Sequence, residues 1–265
     1  MQLTSLFVHP LKSTRGIATT RAYAGKLGLL HDREWLIVSP DGKQITARTH
    51  PHLLRLKVEL LPGGILLHYP DKPPIFAMAT VYTHPHPAQV WKDSFPACHG
   101  DARVDAWLSD IVGADCRLLW LGAEPQRPYL DDSDKMSFAD GHPYLLVNQA
   151  SLDALNRELQ HPVSLRHFRP NLVIDGDYPW IEDEWQRIRI GEVEFEITGP
   201  CTRCVLTTVD PQSGEKDPGG EPLQTLVRTR RREEGVCFGV NLRACNEGIL
   251  TLGDSVEILS ERYSF

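Results

Sequence analysis

"RIRIGEVEFEITG" (Arg187–Gly199) runs directly into "GPCTRCVLTTVDP" (Gly199–Pro211). The first stretch alternates apolar and polar residues on both sides of Ile-Gly-Glu-Val, the pattern of two half-buried strands joined by a tight turn. Similar short runs recur upstream: "LTSLFVHP" (Leu3–Pro10), "EWLIVSPDGKQITAR" (Glu34–Arg48) and "LLRLKVELLPGGILLHYP" (Leu53–Pro70). In the last two, Ser39–Gly42 and Pro62–Gly64 are hairpin signals, because their glycines supply dihedrals that most residues resist. Strands dominate again after Phe168, in "NLVIDG", "CVLTTVD", "CFGVNL" and "ILTLGDSVEILS", where "LGDSVEI" reads as a barrel-closing strand. Evenly spaced short strands with such turns point to a sandwich or a barrel.

Two helices interrupt this pattern. "DARVDAWLSDIVG" (Asp101–Gly113) has an acidic cap, apolar positions at helical spacing and a closing glycine. In "NQASLDALNRELQ" (Asn148–Gln160), Ser151 is the expected cap, and Leu152, Leu155 and Leu159 share a face. Between the helices, "GAEPQRPYLDDSDKMSFADGHP" (Gly122–Pro143) is polar and broken by Pro and Gly, which reads as a domain junction or a functional loop. The expected fold class is α+β and β-rich.

The net charge of −7 argues against a general nucleic-acid binder, so any anion site must be built locally. No run of about 18 apolar residues suggests a membrane span, and the start lacks a signal-peptide layout. Six cysteines in so long a chain then read as reduced thiols in the cytoplasm.

Cys201 and Cys204 invite several readings. Structural zinc wants two such pairs, whereas Cys237 and Cys245 are separated by seven residues of strand-like sequence. A redox pair wants a helix N-terminus, but "VLTTVD" reads as strand. Two small buried thiols are the ordinary alternative. The remaining reading is a single thiolate ligand to a soft metal carried by a cofactor. Strand alternation puts Thr202 and Cys204 on one face with Arg203 opposite, while a bend at "GPCTR" turns Arg203 toward the same site.

Lys12, Arg33 and Arg169 each flank a strand-like run. Singly they read as surface charges; together, in an acidic chain, they fit an anion pocket. "FADGHPYLLVN" offers Asp140, Gly141 and His142, and an Asp-Gly turn with an incidental histidine fits equally well. Asn171 and Asn241 can hydrogen-bond a heterocycle edge, although strand-end asparagines commonly serve turns. The basic run Arg228–Glu234 reads as a solvated loop, and His84 and His86, set between prolines, as part of a rigid extended loop.

The stretches "HPLKSTRG", "DREWLIV" with "ITAR", "FADGHPYLLVNQASLDALN", "FRPNLVIDG", "CTRCVLTTVDPQSGE", "FGVNL" and "LTLGDSVEI" occur in this order over nearly the whole chain. Taken together, they resemble the MOSC superfamily, the molybdenum cofactor sulfurase C-terminal domain proteins. The resemblance is to the branch with an N-terminal β-barrel extension, which holds the YcbX-like proteins and the mitochondrial amidoxime-reducing component. It implies an N-terminal β-barrel-like domain over residues 1–125 and a MOSC β-barrel domain with a few packed helices over 126–262.

It also implies a molybdenum cofactor (Mo-molybdopterin) whose metal is bound by one protein cysteine. By motif position that is Cys204, metal ligand and catalytic residue, with Cys201 left without a role. The cofactor contacts implied are Lys12, Ser13, Arg33, Asp140, Gly141, His142, Arg169, Asn171, Thr202, Arg203 and Asn241.

The expected activity is reduction of N-hydroxylated compounds to amines, with Asp140 or His142 as proton sources. A cofactor carrier and a persulfide-transfer protein are the alternatives. Longer members of the branch continue into a ferredoxin-type domain, whereas this sequence stops at "SERYSF". Electrons are therefore expected from a separate donor, a ferredoxin-like protein or a flavin reductase, unless such a domain has been cut away.

Overall fold

The computed structural model describes residues 1–262; Tyr263–Phe265, with which the sequence ends, and the side chains of residues 131–133 lie outside it. Arg187–Gly199 forms the expected hairpin. Trp185–Ile190 and Val193–Thr202 pair antiparallel, Ile190 opposite Val193, and Gly191 at φ +56° makes the turn between them. A left-handed φ strains most side chains but not glycine.

These strands belong to a nine-stranded sheet. Its path runs Ile17–Thr19, Leu3–Val8, Leu172–Ile174, Tyr144–Asn148, Gly235–Ala244, Val193–Thr202, Trp185–Ile190 and Val256–Glu261, with Arg231–Arg232 added beside Gly235–Ala244. The one parallel pair along it is Tyr144–Asn148 with Leu172–Ile174, and the helix Gln149–Arg157 lies in the crossover between them. The sheet curls until its ends meet: Gln2 bridges Ser255, the Leu3 amide donates to Asp254 O at 2.9 Å, and the Val256 amide donates to Met1 O at 3.0 Å. Inside lie Leu3, Leu6, Leu146, Trp185, Phe195 and Leu242, all buried.

Leu3–Val8 and Arg21–Gly25 thus pair with strands of the second half of the chain. Arg21–Gly25 sits between Gly248–Thr251 and Gly28–Leu29 in a separate small sheet. The rest of the first half has its own core. A four-stranded sheet runs Trp35–Val38, Arg117–Trp120, Asp93–His99, His84–Val90, and a three-stranded one holds Lys57–Leu61, Gly64–His68 and Ile75–Met78. The helix Ala102–Val112 packs on them through Val104 and Leu108, alongside Leu53 and Leu67. Its ends are as expected: the Asp101 side chain accepts from the Arg103 amide, and Gly113 closes it at φ +80°.

Elsewhere local expectation is overturned. "VLTTVD" is not a strand: Val205–Thr208 is a 3₁₀ turn, in which the Thr207 and Thr208 hydroxyls donate to the carbonyls of Cys204 and Val205. Threonine hydroxyls offer the backbone this alternative to a ladder. Ser151 does not cap its helix. Asn148 does, accepting from the Ala150 amide, while the Ser151 hydroxyl is buried against Glu182. His84 and His86 lie in an edge strand, where Pro85 and Pro87 are tolerated. The Arg228–Glu234 run is not wholly solvated, since Arg230 lies over the Trp180 ring and pairs with Asp183. Among the described residues no helix is long and apolar enough to cross a membrane.

Candidate functional site

A cleft of about 410 Å³ opens where the first half of the chain meets the mouth of the nine-stranded barrel. Lys12, Ser13, Arg33, Asp140, Gly141, His142, Arg169, Asn171, Thr202, Arg203, Cys204 and Asn241 all line it, so the residues singled out from sequence converge on one place. Three of them, Ser13, Arg33 and Arg169, hold left-handed backbone at φ +68°, +52° and +54°. Non-glycine residues adopt that conformation at a cost, and such positions concentrate at functional sites.

Each cation is held by the fold. Lys12 is buried after the first barrel strand, and its Nζ donates to Phe138 O at 2.7 Å and Asp140 Oδ1 at 2.6 Å. The Arg33 guanidinium pairs with buried Asp32 and donates to Asn171 Oδ1 at 2.9 Å. Asn171 is itself fully buried and committed, its Nδ2 donating to Phe7 O and its Oδ1 accepting from the Leu145 amide. It therefore braces Arg33 rather than offering a free amide edge. Arg169 reaches the Thr14 carbonyl. The bend at "GPCTR" occurs: bulges interrupt the ladder at Gly199 and again before Thr202, and Arg203 donates to Phe238 O and Phe168 O. Asn241 donates to Pro200 O at 3.3 Å.

Cys204 lies two residues past Thr202, the end of that strand, and opens the 3₁₀ turn, so it leaves the sheet and lines the cleft. Arg48 Nε donates to its Sγ at 3.4 Å, Arg48 Nη2 donates to Asp140 Oδ2 at 3.0 Å, and the guanidinium lies 4.4 Å from the Trp91 ring centroid. Sequence reasoning missed Arg48, although it ends the "ITAR" arm of a recognised hairpin. It also missed Arg127, which is buried and threads the loop before Asp140. Arg127 donates to the carbonyls of Ser137, Ala139 and Asp140 and pairs with Asp93 at 2.9 Å. Cys201 also lines the cleft but packs toward the Phe168–Phe238 stack, and burial pushes its thiol pKa up. A raised pKa makes for an inert sulfur.

Burial lowers the Lys12 pKa to about 8 despite the carboxylate of Asp140 beside it. Burial alone would raise Asp140, but Lys12 and Arg48 override it and hold this carboxyl well below the usual range. Asp140 is therefore an anion and not a proton source. Burial likewise lowers His142, whose Nδ1 meets Tyr129 Oη at 2.9 Å and Thr198 Oγ1 at 3.0 Å.

Among the described residues, no cluster of three His, Cys, Asp or Glu side chains is placed to hold a metal unaided. A metal at Cys204 thus requires further ligands from a cofactor. The residues fit an anionic one. Lys12, Arg33, Arg48, Arg169 and Arg203 face one cleft that Asp140 alone lines as a carboxylate. Among the described residues neither Arg169 nor Arg203 has a carboxylate at ion-pair distance. Half-buried guanidinium groups so placed suit phosphate oxygens, which they can bind bidentately.

The MOSC domain family model matches residues 133–257, and the MOSC N-terminal beta barrel domain model matches residues 1–115. The chain belongs to the MOSC-domain family. Its architecture is a MOSC N-terminal beta barrel domain followed by a MOSC domain. The mitochondrial amidoxime-reducing component 1 of Mus musculus is 30% identical over 97% of this chain and 82% of its own length. The molybdenum cofactor sulfurase of Oryza sativa subsp. japonica is 29% identical over 91% of this chain, which spans only 32% of that relative. Among solved structures, the YuaD protein of Bacillus subtilis aligns with a TM-score of 0.42 and 9% identity, over 99% of this chain and 96% of that one. The two curated relatives, one named a molybdenum cofactor sulfurase and one an amidoxime-reducing component, tie the chain to a family related to the molybdenum cofactor.

Proposed function

We propose that this MOSC protein is a molybdenum-cofactor-dependent reductase of N-hydroxylated compounds such as hydroxylamines, amidoximes and N-hydroxylated bases. The observation that carries the reading is one thiol, Cys204 Sγ, presented into a cleft of five cationic side chains at the mouth of the barrel. The mouse relative's name favours the reductase over the alternatives. Raised thiol pKa at Cys201 speaks against that residue as a persulfide carrier.

In this reading Cys204 Sγ binds the metal, and Lys12, Arg33, Arg169 and Arg203 hold the anionic part of the cofactor. Ser13, Gly141, Thr202 and Asn241 line the remaining wall. When bound, the cofactor supplies a redox-active metal that can take up a hydroxyl oxygen. The net reaction consumes two electrons and two protons and turns the N-hydroxy group into an amine and water. Lys12 Nζ is oriented for its contact with the cofactor by Asp140 Oδ1 at 2.6 Å and Phe138 O at 2.7 Å. Electrons come from a separate ferredoxin-like protein or flavin reductase. The six cysteines are free, which suits a reducing cytoplasm.

The test is molybdenum per protein after expression in a host that makes the cofactor. Near-stoichiometric metal is expected in the wild type and in Cys201→Ala, and none in Cys204→Ala. Folded, properly supplied wild type without molybdenum or pterin would sink the reading and bring persulfide chemistry forward.

A further inference from the structure

Beside the cationic cleft lies a second cavity of about 420 Å³, and Asp140 and Gly141 form part of the wall of both. Arg48 links the two directly, with Nε on Cys204 Sγ and its guanidinium over the ring of Trp91, which lines the second cavity. Trp91 Nε1 also donates to Asp140 Oδ1 at 3.1 Å.

The lining of this second cavity is of another character. Trp91 and Leu130 present large apolar side chains to solvent, 48% and 68% exposed, with Tyr129 and Met136 behind them. Both exposed residues sit in left-handed backbone, Trp91 at φ +56° and Leu130 at φ +57°. Exposure of a large apolar group and a strained backbone are each unfavourable, and neither side chain recovers that cost by packing in the core. The charges present are largely matched within the protein: Arg127 pairs with Asp93, and Asp140 with Lys12 and Arg48. Among the described residues, Lys92 is the one further cation on this wall, an exposed side chain.

We propose that this cavity is a substrate subsite, which takes the aryl or heteroaryl body of an N-hydroxylated compound. Trp91 and Leu130 form its apolar contact, and the N-hydroxy group reaches past Asp140 and Arg48 into the cleft of Cys204. The inference rests on the reductase reading and adds to it a place and a chemistry for the part of the substrate that does not react. Apolar contact at a distance from the reacting atoms governs which substrate is chosen.

Leu130→Gly is the informative variant, because glycine relieves the left-handed strain while deleting the contact. Binding of benzamidoxime to the oxidised, molybdenum-loaded protein is measured by calorimetry with no electron donor, so that no turnover occurs. Affinity is expected to fall roughly tenfold in Leu130→Gly and in Trp91→Gly, with the melting temperature of Leu130→Gly unchanged or raised. With a donor supplied, the ratio of kcat/KM for benzamidoxime to that for hydroxylamine, which has no such body, falls by a similar factor. Wild-type affinity retained in both variants, absence of wild-type binding, or equal loss for the two substrates overturns the subsite. Binding that depends on Leu130, in a loaded protein that reduces neither compound, supports the subsite and overturns the reductase reading.

Discussion

Lys12 carries its ammonium to a buried position whose one carboxylate neighbour, Asp140, is shared with Arg48. Desolvation disfavours the charged form, so the folded pKa drops from 10.5 to about 8. The sign follows from linkage: between about pH 8 and 10.5 the folded chain has released a proton that the unfolded chain still holds, so this residue's penalty to stability fades as pH rises. The anion site behaves in the opposite way. Sulfate, whose charge is constant over this range, should bind the cofactor-free protein with steady affinity up to about pH 7 and progressively more weakly above pH 8. Lys12→Met should bind more weakly throughout and lose that alkaline step; an unchanged pH profile by calorimetry would remove Lys12 from the anion site. At this scale Lys12, Arg33 and Arg169 were legible as cations at strand mouths. Arg48 and Arg127 were not, because nothing local distinguishes a solvated arginine from one that crosses to a thiol or threads a loop.

Turns are the elements for which sequence spoke most clearly. In the Ser39–Gly42 turn, Gly42 holds φ +90°, its amide donates to Ser39 O, and an added Cβ would lie 2.5 Å from the Pro87 carbonyl oxygen. Gly63, in the other hairpin, holds φ +82° with nothing within 4 Å of such a Cβ. Gly63→Ala should therefore cost about 1 kcal/mol from backbone strain alone, and Gly42→Ala about 2–4 kcal/mol because a clash with backbone adds to it. Urea unfolding of the two variants measures the difference, and equal losses would show that the Pro87 contact relaxes freely. Both turns were readable because Asp-Gly and Gly-Gly carry their dihedral preference in the chain itself. The segment after Cys204 was misread because its β-branched residues favour strand locally, while two threonine hydroxyls close a 3₁₀ turn. Leu206 then packs against Ala47, Leu54 and Val209, contacts that cross between the halves of the chain.

The whole molecule is joined across its sequence halves. Leu3 and Leu6 are core residues of the barrel that residues 144–261 otherwise build, and Leu3–Val8 fills the place beside Leu172–Ile174. A chain of residues 126–262 would leave that edge unpaired and the barrel open. It should show no cooperative thermal unfolding by circular dichroism, whereas the full chain should. Cooperative melting of the fragment would show that the barrel tolerates loss of its first strand. The same joining makes the site: Lys12, Ser13, Arg33 and Arg48 come from the first half, and Asp140, Arg169, Arg203 and Cys204 from the second.

Sequence alone determined the β-rich class, the hairpins at Gly42, Gly63 and Gly191, and the helix between Asp101 and Gly113; the set of residues that converge on one cleft came from the family resemblance. These are matters of dihedral preference, alternation and motif, which act within a few residues of chain. Tertiary structure alone decided that Asn148 caps the second helix and that Asn171 braces Arg33. It also decided that Arg48 meets Cys204 and that Trp91 and Leu130 flank a second cavity. Each depends on burial and on partners distant in sequence, where desolvation and packing outweigh local preference.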